Sequence, residues 1–585
     1  MSNDATIDTR FRDASLPIDD RVEILLSQMT IEEKAGLLFH TMIAISDLDE
    51  GNAMFDIPSA REFIDDKLMS HFNLLGAAPT GREIAAWQNS LQKLAASTRL
   101  AIPVTLSTDP RHSFSENPGA AIMAGPFSQW PETMGLAATR DEELVQQFAD
   151  IARQEYTAVG LRVALHPQVD LATEPRWARA TATFGEDPEL AGRMGAAYIR
   201  GFQGESFGAG SVSTMTKHFP GGGPQKDGED PHFAYGREQV YPGGQFETHL
   251  KPFEAAFEAG TRQIMPYYGM PVGTEYEEVG FGFNKSVITG LLRERYRFEG
   301  VVCTDWGLIH DRALLGHVHA ARAWGVEHLT PRERMKKVMD AGVDQFGGEA
   351  CPELLLELVA DGEVTEERLD VSARRVLREK FDLGLFENPF VDEDKADAIV
   401  GNAEFRAAGE AAQRAAITVL ANTGVLPLAN RPKLYVEGID ADTAARFGDI
   451  VATPAEAEVA VLRLQAPFEE RETMFENFFH AGSLDYSDEV VAHVREVAAT
   501  VPTVIDVLLD RPAVLTPFVD HVAAITANWG ASAAALLDVL TGAASPKGRL
   551  PFDLPRSMAA VEASRPDVPF DTENPLFRFG HGLKL

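Results

Sequence analysis

The sequence predicts an α/β protein with two domains, a (β/α)₈ barrel of the TIM type followed by an α/β sandwich domain. Three observations predict this fold class. Between about residues 35 and 350, short β-rich runs alternate with amphipathic helical stretches. Polar and ionisable residues follow several of these runs, and a second alternating series begins beyond about residue 390.

Eight β-rich runs in the first region are predicted strands. They are LLFH (37–40), FNLLGA (72–77), IPVTLST (102–108), LRVALHP (161–167), VSTMTKHF (212–219), QIMPYYG (263–269), GVVCTDWG (300–307) and VDQFGG (343–348). Helical patterns separate them. In DEELVQQFADIARQEYTAVG (141–160), for example, apolar residues recur every three or four positions and Gly160 provides the stop. Eight repeated β/α units are typical of a closed barrel.

Several of the predicted strands end in polar or ionisable residues. These residues are Asp109, Lys217, His218, Tyr268, Asp305 and Trp306. Because the carboxyl ends of the strands converge on one face of a closed barrel, we expect these side chains to share one site on that face.

The boundary between the domains is predicted near residue 390, so that residues 1–390 form the barrel and residues 391–585 the second domain. The segment 368–386 has the pattern of a long amphipathic helix, and VDEDKADA (391–398) follows it as an acidic connector. Strand-like runs beyond the boundary are KLYVEGI (433–439), VAVLRLQAP (459–467), TVIDVLLD (503–510) and VAAITANWG (522–530), and they alternate with helical stretches such as ASAAALLDVLTG (531–542). This alternation predicts an open sheet flanked by helices.

Composition and charge exclude some classes of partner. The chain has 585 residues and a formal net charge of −35, which repels phosphate backbones and anionic lipid, so we expect neither nucleic-acid nor membrane binding. The N-terminal segment lacks the pattern of a secretory signal, and no apolar run approaches the ~20 residues that span a bilayer, so a cytoplasmic location is predicted. Cys303 and Cys351 are predicted to be two buried thiols.

The strongest local signal is KHFPGGGPQKDGEDPHFAYG (217–236), in which a Lys-His pair runs into a glycine-rich loop dense in acids. The loop lacks the residue order of a nucleotide P-loop, and the net charge of the chain disfavours phosphate. Fixed donors and acceptors suit the hydroxyls of a neutral sugar, and an aromatic face such as that of Trp306 suits its ring. The pattern therefore predicts a polyhydroxyl ligand.

Several separated segments resemble, in order, the motifs of glycoside hydrolase family 3, the exo-acting β-glycosidases. The resemblance covers nearly the whole chain. In the first domain, the family's opening is similar to SLPIDDRVEILLSQMTIEEKAG (15–36) and its arginine loop to PRWARATATFGEDP (175–188). Its Lys-His strand is similar to KHFPGG (217–222) and its nucleophile strand to GVVCTDWG (300–307). The end of its second domain is similar to ASPKGRLPFDLP (544–555) and NPLFRFGHGL (574–583).

The resemblance implies a role for each matching residue. Asp305 would be the nucleophile, with Tyr268 beside it. Trp306 would lie against the sugar ring. The hydroxyls of the terminal sugar would be held by Asp109, Arg179, Lys217 and His218. A retaining glycosidase needs an ionised carboxylate that attacks the anomeric carbon and a protonated group that assists the departure of the leaving group. The resemblance implies neither a metal nor an organic cofactor.

The identity of the acid/base is left open between two regions. In two-domain members of the family it is a glutamate of the second domain, and QAPFEERETMFEN (465–477) offers Glu469, Glu470, Glu472 and Glu476. An ungapped match to the family's Pro-aromatic-x-Glu form selects Glu470, but Glu469 directly follows Pro467-Phe468 and we prefer it. Alternatively, Asp230-Pro231-His232 resembles, with an offset of about two residues, the Asp-x-His dyad of the family's N-acetylglucosaminidases, and an imidazole held by a carboxylate can donate a proton near neutral pH.

The expected function is therefore an exo-acting retaining β-glycosidase that releases β-D-glucose from a small-molecule β-glycoside or oligosaccharide. One alternative is a β-N-acetylglucosaminidase that uses the dyad of Asp230 and His232. Another is a catalytically inert sugar-binding protein, which Asp305 within the TDW motif disfavours. A homodimer is left open as the quaternary state.

Overall fold

The computed structural model describes residues 7–53, 55–77, 80–110, 112–115, 120–314 and 317–585. These residues form two α/β units, each built around a sheet of its own. No helix in this part of the chain has the length and apolar character needed to cross a lipid bilayer.

Eight parallel strands form the first sheet, and each of the eight predicted runs contributes one of them. The strands are β1 (Phe39–Ala44), β2 (His71–Leu75), β3 (Thr105–Thr108), β4 (Leu161–Ala164), β5 (Ser213–Phe219), β6 (Gln263–Pro266), β7 (Val301–Val302) and β8 (Phe346–Gly347). Their order is β8-β1-β2-β3-β4-β5-β6-β7. The amide of Asp344 donates to the carbonyl of Val302 at 2.8 Å and that of Thr304 to the carbonyl of Gln345 at 2.9 Å. Hydrogen bonds thus join the two edges and close the predicted barrel.

The barrel strands are enclosed on both faces. Every residue of β2, β3, β4 and β5 is buried. A strand with core on one side and helices on the other buries both sets of alternating side chains, which explains why the sequence shows near-continuous apolar runs here.

Helices cover the outside of the barrel. They are Ile18–Leu26, Ile31–Leu37, Gly81–Ala96, Thr133–Thr139, Glu142–Ala158, Pro188–Gln203, Phe246–Glu258, Ser286–Arg295, Pro331–Ala341, Pro352–Ala360 and Glu366–Asp382. The helix predicted within 141–160 begins where the side chain of Asp141 accepts a hydrogen bond from the amide of Leu144. Gly160 follows its end with a φ of 84°, a conformation that favours glycine.

The acidic segment 391–398, predicted as a connector, contains most of the helix Glu393–Ile399, which lies in the chain between the last barrel helix and the first helix of the second unit. Asp394 forms an ion pair with Arg82 of a barrel helix at 2.6 Å, and Ala396 is fully buried. Most of its acidic residues are exposed.

Six strands form the second sheet. They are β9 (Thr418–Asn422), β10 (Lys433–Glu437), β11 (Asp449–Ile450), β12 (Val459–Gln465), β13 (Thr503–Leu508) and β14 (Ala524–Asn528), in the order β9-β14-β13-β12-β10-β11. Only the pair β9-β14 is antiparallel among these described strands. The accompanying helices are Ala403–Ala416, Ala441–Ala445, Asp488–Thr500, Thr516–Val519, Ala533–Leu540 and Met558–Ala563. The four predicted runs supply β10, β12, β13 and β14, whereas β9 and the short β11 were not predicted.

The second unit contacts the loops that follow the barrel strands. The carboxylate of Glu186 accepts hydrogen bonds from the amides of Phe570, at 2.9 Å, and Asp553. The amide of Glu132 donates to the carbonyl of Trp529 at 2.7 Å. These loops extend from the carboxyl ends of β3 and β4, so the second unit lies over the face where barrels of this kind carry their sites.

Candidate active site

A cavity of about 480 Å³ opens at the carboxyl ends of the barrel strands, between loops of the two units. The barrel contributes Asp109, His166, Arg179, Lys217, Tyr268, Asp305 and Trp306 to its lining. The sequence singled out all of these except His166. The second unit contributes residues of the segment 475–480 together with Asp510.

Lys217 and Asp109 form an ion pair at the deep end of the cavity. The ammonium of Lys217 donates to Oδ1 of Asp109 at 2.6 Å, and Nδ1 of His166 lies 2.8 Å from the same oxygen. Lys217 is 3% exposed and Asp109 is 7% exposed. Burial lowers the pKa of Lys217, and the Asp109 carboxylate acts in the opposite direction. At this end of the cavity, the ammonium of Lys217 can donate a hydrogen bond to a hydroxyl group and the carboxylate of Asp109 can accept one.

His218 lies beneath the cavity, between Asp170 and Asp305. Its Nδ1 lies 2.8 Å from Oδ2 of Asp170, and its Nε2 lies 3.7 Å from Oδ2 of Asp305. Burial, together with the charges of Arg179 and Lys217, lowers the pKa of His218 well below its ordinary value, so the ring is neutral. With Nδ1 donating to Asp170, Nε2 of the neutral ring has no proton and makes no hydrogen bond to Asp305.

Asp305 and Trp306 follow β7 in a tightly packed turn. Oδ1 of Asp305 accepts from the amide of Trp306 at 2.8 Å, and the hydroxyl of Tyr268 donates to the carbonyl of Trp306 at 2.7 Å. Burial and the Asp305 carboxylate raise the pKa of Tyr268 well above its ordinary value, so it keeps its proton. Gly348 has a φ of 68°, and a Cβ there would come within 2.7 Å of the Trp306 indole. Only glycine leaves room for this ring.

Arg179 supplies a positive charge that acts on the carboxylates of Asp109 and Asp305. Burial opposes this charge, but interactions with Tyr267, Asp230, Asp305 and Asp109 raise the pKa of Arg179 above its ordinary value. The guanidinium therefore stays ionised and favours ionised carboxylates around it.

The glycine-rich loop brings a second histidine into the cavity. Nδ1 of His232 lies 2.6 Å from Oδ1 of the buried Asp230. The His232 ring lies 4.7 Å from that of Tyr268, centroid to centroid, and 4.6 Å from that of Phe479 of the second unit. The indole of Trp324 donates to the carbonyl of Pro231 at 2.8 Å and holds the loop in place. The Asp-x-His arrangement noted in the sequence is thus formed beside the turn that carries Asp305 and Trp306.

The four glutamates predicted as acid candidates lie on the segment 467–483 that follows β12. Glu469, Glu470 and Glu472 are exposed, and Oε1 of Glu469 accepts from the amide of Ser483 at 3.2 Å. Glu476 accepts hydrogen bonds from Thr473 and from the hydroxyl of Tyr235. Within the described part of the chain, none of the four belongs to the cavity lining. The assignment of Glu469 or Glu470 as the acid stays a prediction.

Arg511 fixes the conformation of the segment 467–483. Its buried guanidinium donates to five carbonyl oxygens, those of Arg176, Pro467, Ala481, Gly482 and Ser483, at 2.6 to 3.1 Å. The carbonyl of Arg176 belongs to the barrel, so Arg511 ties both ends of the segment to each other and to the first unit.

Replacement of Arg511 by methionine should lower the free energy of unfolding by about 3 kcal/mol, because several buried carbonyls lose a charged donor at once. Urea denaturation followed by circular dichroism measures this change. Arg495→Met is the matched control, since the exposed Arg495 donates only to the carbonyl of Pro517, and a shift below about 0.5 kcal/mol is expected there. Equal shifts in the two variants would contradict the role of Arg511.

One cluster in the described part of the chain has the composition of a metal site. Ligand atoms of His310, Glu349 and Cys351 lie within 4.8 Å of one another. Glu349 already accepts a hydrogen bond from the amide of Ile309 at 2.8 Å and lies 3.3 Å from Nδ1 of His310, so it holds this turn. Cys351 and Cys303 are both buried and free, as predicted.

Several residues of the cavity were not found from the sequence. His166 follows β4 and could have been found, because it ends a predicted strand like the others. Phe475, Phe479, His480 and Asp510 had no such signal, since they reach the cavity only when the second unit packs on the barrel.

Models of protein families match the chain in two places. The model of the Glycosyl hydrolase family 3 N terminal domain matches residues 60–379, and that of the Glycosyl hydrolase family 3 C-terminal domain matches residues 445–585.

Relatives and solved structures give the same picture. The chain is 53% identical to the probable beta-glucosidase C of Aspergillus flavus, over 98% of this chain and 91% of that protein. It is 42% identical to the periplasmic beta-glucosidase/beta-xylosidase of Dickeya chrysanthemi, over the same two shares. The crystal structure of the beta-glucosidase from Listeria innocua in complex with glucose matches with a TM-score of 0.75 and 22% identity, covering 97% of this chain and 83% of that one. This last likeness concerns the fold.

Proposed function

This chain belongs to glycoside hydrolase family 3, and on that basis we propose that it is an exo-acting retaining β-glucosidase, which releases β-D-glucose from the non-reducing end of a β-glucoside. The names of its relatives support glucose as the sugar, because the proteins with 53% and 42% identity both carry beta-glucosidase in their names.

The observation that carries the proposal is the environment of Asp305. Its Oδ2 is buried and accepts no hydrogen bond from the described residues, while its Oδ1 is held by the amide of Trp306. Asp305 lines the cavity whose deep end carries Asp109 and Lys217, and its carboxylate has a fixed orientation with one oxygen that makes no hydrogen bond to the described residues. A nucleophilic carboxylate needs this combination of orientation and an available lone pair.

The reaction would proceed in two displacements. The carboxylate of Asp305 attacks the anomeric carbon, the bond from that carbon to the glycosidic oxygen breaks, and the leaving oxygen takes a proton from the acid. Water then attacks the same carbon and loses a proton to the group that acted as acid, and Asp305 is released with the β-configuration retained. Tyr268 would keep the Asp305 turn in place through its hydrogen bonds to Trp306.

We propose His232, held by Asp230, as the acid/base. The ring lies next to Tyr268, and Nδ1 is occupied by the carboxylate of Asp230, so Nε2 is the nitrogen available for proton transfer. Glu469 and Glu470 lie on the exposed part of the segment 467–483. Geometry within the cavity therefore favours the histidine over both glutamates.

Wild-type protein should hydrolyse 4-nitrophenyl β-D-glucoside with a higher kcat/KM than the β-xyloside, the β-N-acetylglucosaminide and the α-glucoside. Proton NMR early in the reaction should show β-glucose as the first product, because two displacements retain configuration. A preference for the N-acetylglucosaminide would favour the alternative enzyme predicted from the dyad. Early release of α-glucose, or no turnover of any β-glycoside, would contradict the proposal.

A further inference from the structure

We infer that His480, held by Asp510, binds a hydroxyl of a sugar leaving group at the mouth of the cavity and so sets a preference for oligosaccharides over aryl glucosides. The inference rests on the proposed function and concerns the part of the substrate that leaves. Both residues come from the second unit and both line the cavity.

The His480 ring is held from two directions. Nδ1 of His480 forms a hydrogen bond with Oδ2 of Asp510, and the ring lies flat on that of Phe468, with centroids 3.9 Å apart and planes 5° apart. With Nδ1 occupied, Nε2 is the nitrogen left for a ligand, and no described residue bonds to it. A side chain that is fixed before binding loses little conformational entropy when a ligand arrives.

Burial along the cavity identifies which end His480 occupies. Lys217 and Asp109 at the deep end are 3% and 7% exposed, whereas the side chain of His480 is 29% exposed and Phe478 is 39% exposed. A glucose held at the deep end, with its anomeric carbon at Asp305, therefore directs its leaving group outward. Phe479, which lies 4.6 Å from His232, connects the proposed acid to the His480 position along the chain.

The chemistry of the mouth suits a second sugar. Phe475, Phe478 and Phe479 line the cavity, and an aromatic ring can pack against the apolar face of a pyranose or against an aryl group. Nε2 of His480 adds one polar partner, which a sugar hydroxyl can use and an unsubstituted aryl group cannot. His480 therefore distinguishes leaving groups that the phenylalanines alone would accept equally.

The test compares kcat/KM for cellobiose with kcat/KM for 4-nitrophenyl β-D-glucoside in His480→Phe and Asp510→Ala. The ratio of the two values should fall about tenfold in each variant, which corresponds to the loss of one neutral hydrogen bond. His480→Gln, whose amide can reach the position of Nε2, should restore part of the ratio. His493→Phe is the matched control, because His493 pairs with Glu437 at 2.9 Å on the same unit but does not line the cavity.

The outcomes separate this inference from the proposed function. A wild-type protein that cleaves both substrates, with a ratio unchanged in His480→Phe, overturns the role of His480 alone. Equal losses on both substrates in His480→Phe also overturn it, since they indicate a structural effect. A wild-type protein that cleaves neither substrate overturns the proposed function and this inference together.

Discussion

Replacement of Asp305 by asparagine should lower kcat for 4-nitrophenyl β-D-glucoside by roughly 10⁴-fold or more, as expected when a nucleophile is removed. The amide keeps the shape of the side chain and can still accept the hydrogen bond from the amide of Trp306, so the turn should stay in place. It cannot form the covalent glycosyl intermediate. Initial rates, with circular dichroism and thermal melting to check folding, measure the effect.

Covalent trapping locates the nucleophile independently of rates. A 2-deoxy-2-fluoro-β-glucoside with a dinitrophenolate leaving group should label wild-type protein once, within the tryptic peptide that lies between Arg297 and Arg312. Because this peptide also contains Glu299 and Asp311, fragmentation must place the label on Asp305. Asp305→Gly supplied with azide should form α-glucosyl azide, since azide then attacks from the vacated face. Label on another residue, or an Asp305→Asn variant within tenfold of wild type, would exclude the mechanism.

Much of the barrel was predictable because its signal is local. Strands enclosed on both faces, such as β4 and β5, appear in the sequence as apolar runs, and their polar ends mark the carboxyl face of the sheet. Asp109, Lys217 and Asp305 therefore came together in the cavity as their positions in the β/α repeat implied. The position of each of these residues in the cavity depends only on its own strand and on the closure of the barrel.

The second unit's contribution was not predictable in the same way. The segment 467–483 has no periodicity that shows which residues face the barrel, and its conformation depends on the guanidinium of Arg511 and on the contact between Glu469 and the amide of Ser483. A match of sequence to Pro467-Phe468 thus pointed to Glu469 and Glu470, whereas the cavity receives Phe479 and His480. Contacts between distant parts of the chain determine which residues of the segment 467–483 reach the cavity.

The choice between His232 and the glutamates predicts a clear difference between substrates. His232→Ala should reduce kcat/KM for cellobiose by about 10²- to 10⁴-fold, the usual contribution of general acid catalysis. The loss should be much smaller for dinitrophenyl β-glucoside, because its leaving group departs without a proton. Hydrolysis of the glycosyl-enzyme then becomes slow, and azide should restore turnover and give β-glucosyl azide. Glu469→Ala and Glu470→Ala are the paired variants; this pattern in either of them, and not in His232→Ala, would return the role to the second unit.

The pH profile offers a second measurement of the same choice. Burial lowers the pKa of His232 below its ordinary value of about 6.5, although Asp230 acts in the opposite direction. The acid must carry a proton when the glycosidic bond breaks, so kcat/KM for cellobiose should be highest at acidic pH and fall as the pH rises through this lowered pKa. Asp230→Asn removes the charge that favours the protonated ring, and the basic limb should therefore move to still lower pH. A basic limb that keeps its position in Asp230→Asn would show that another group supplies the proton.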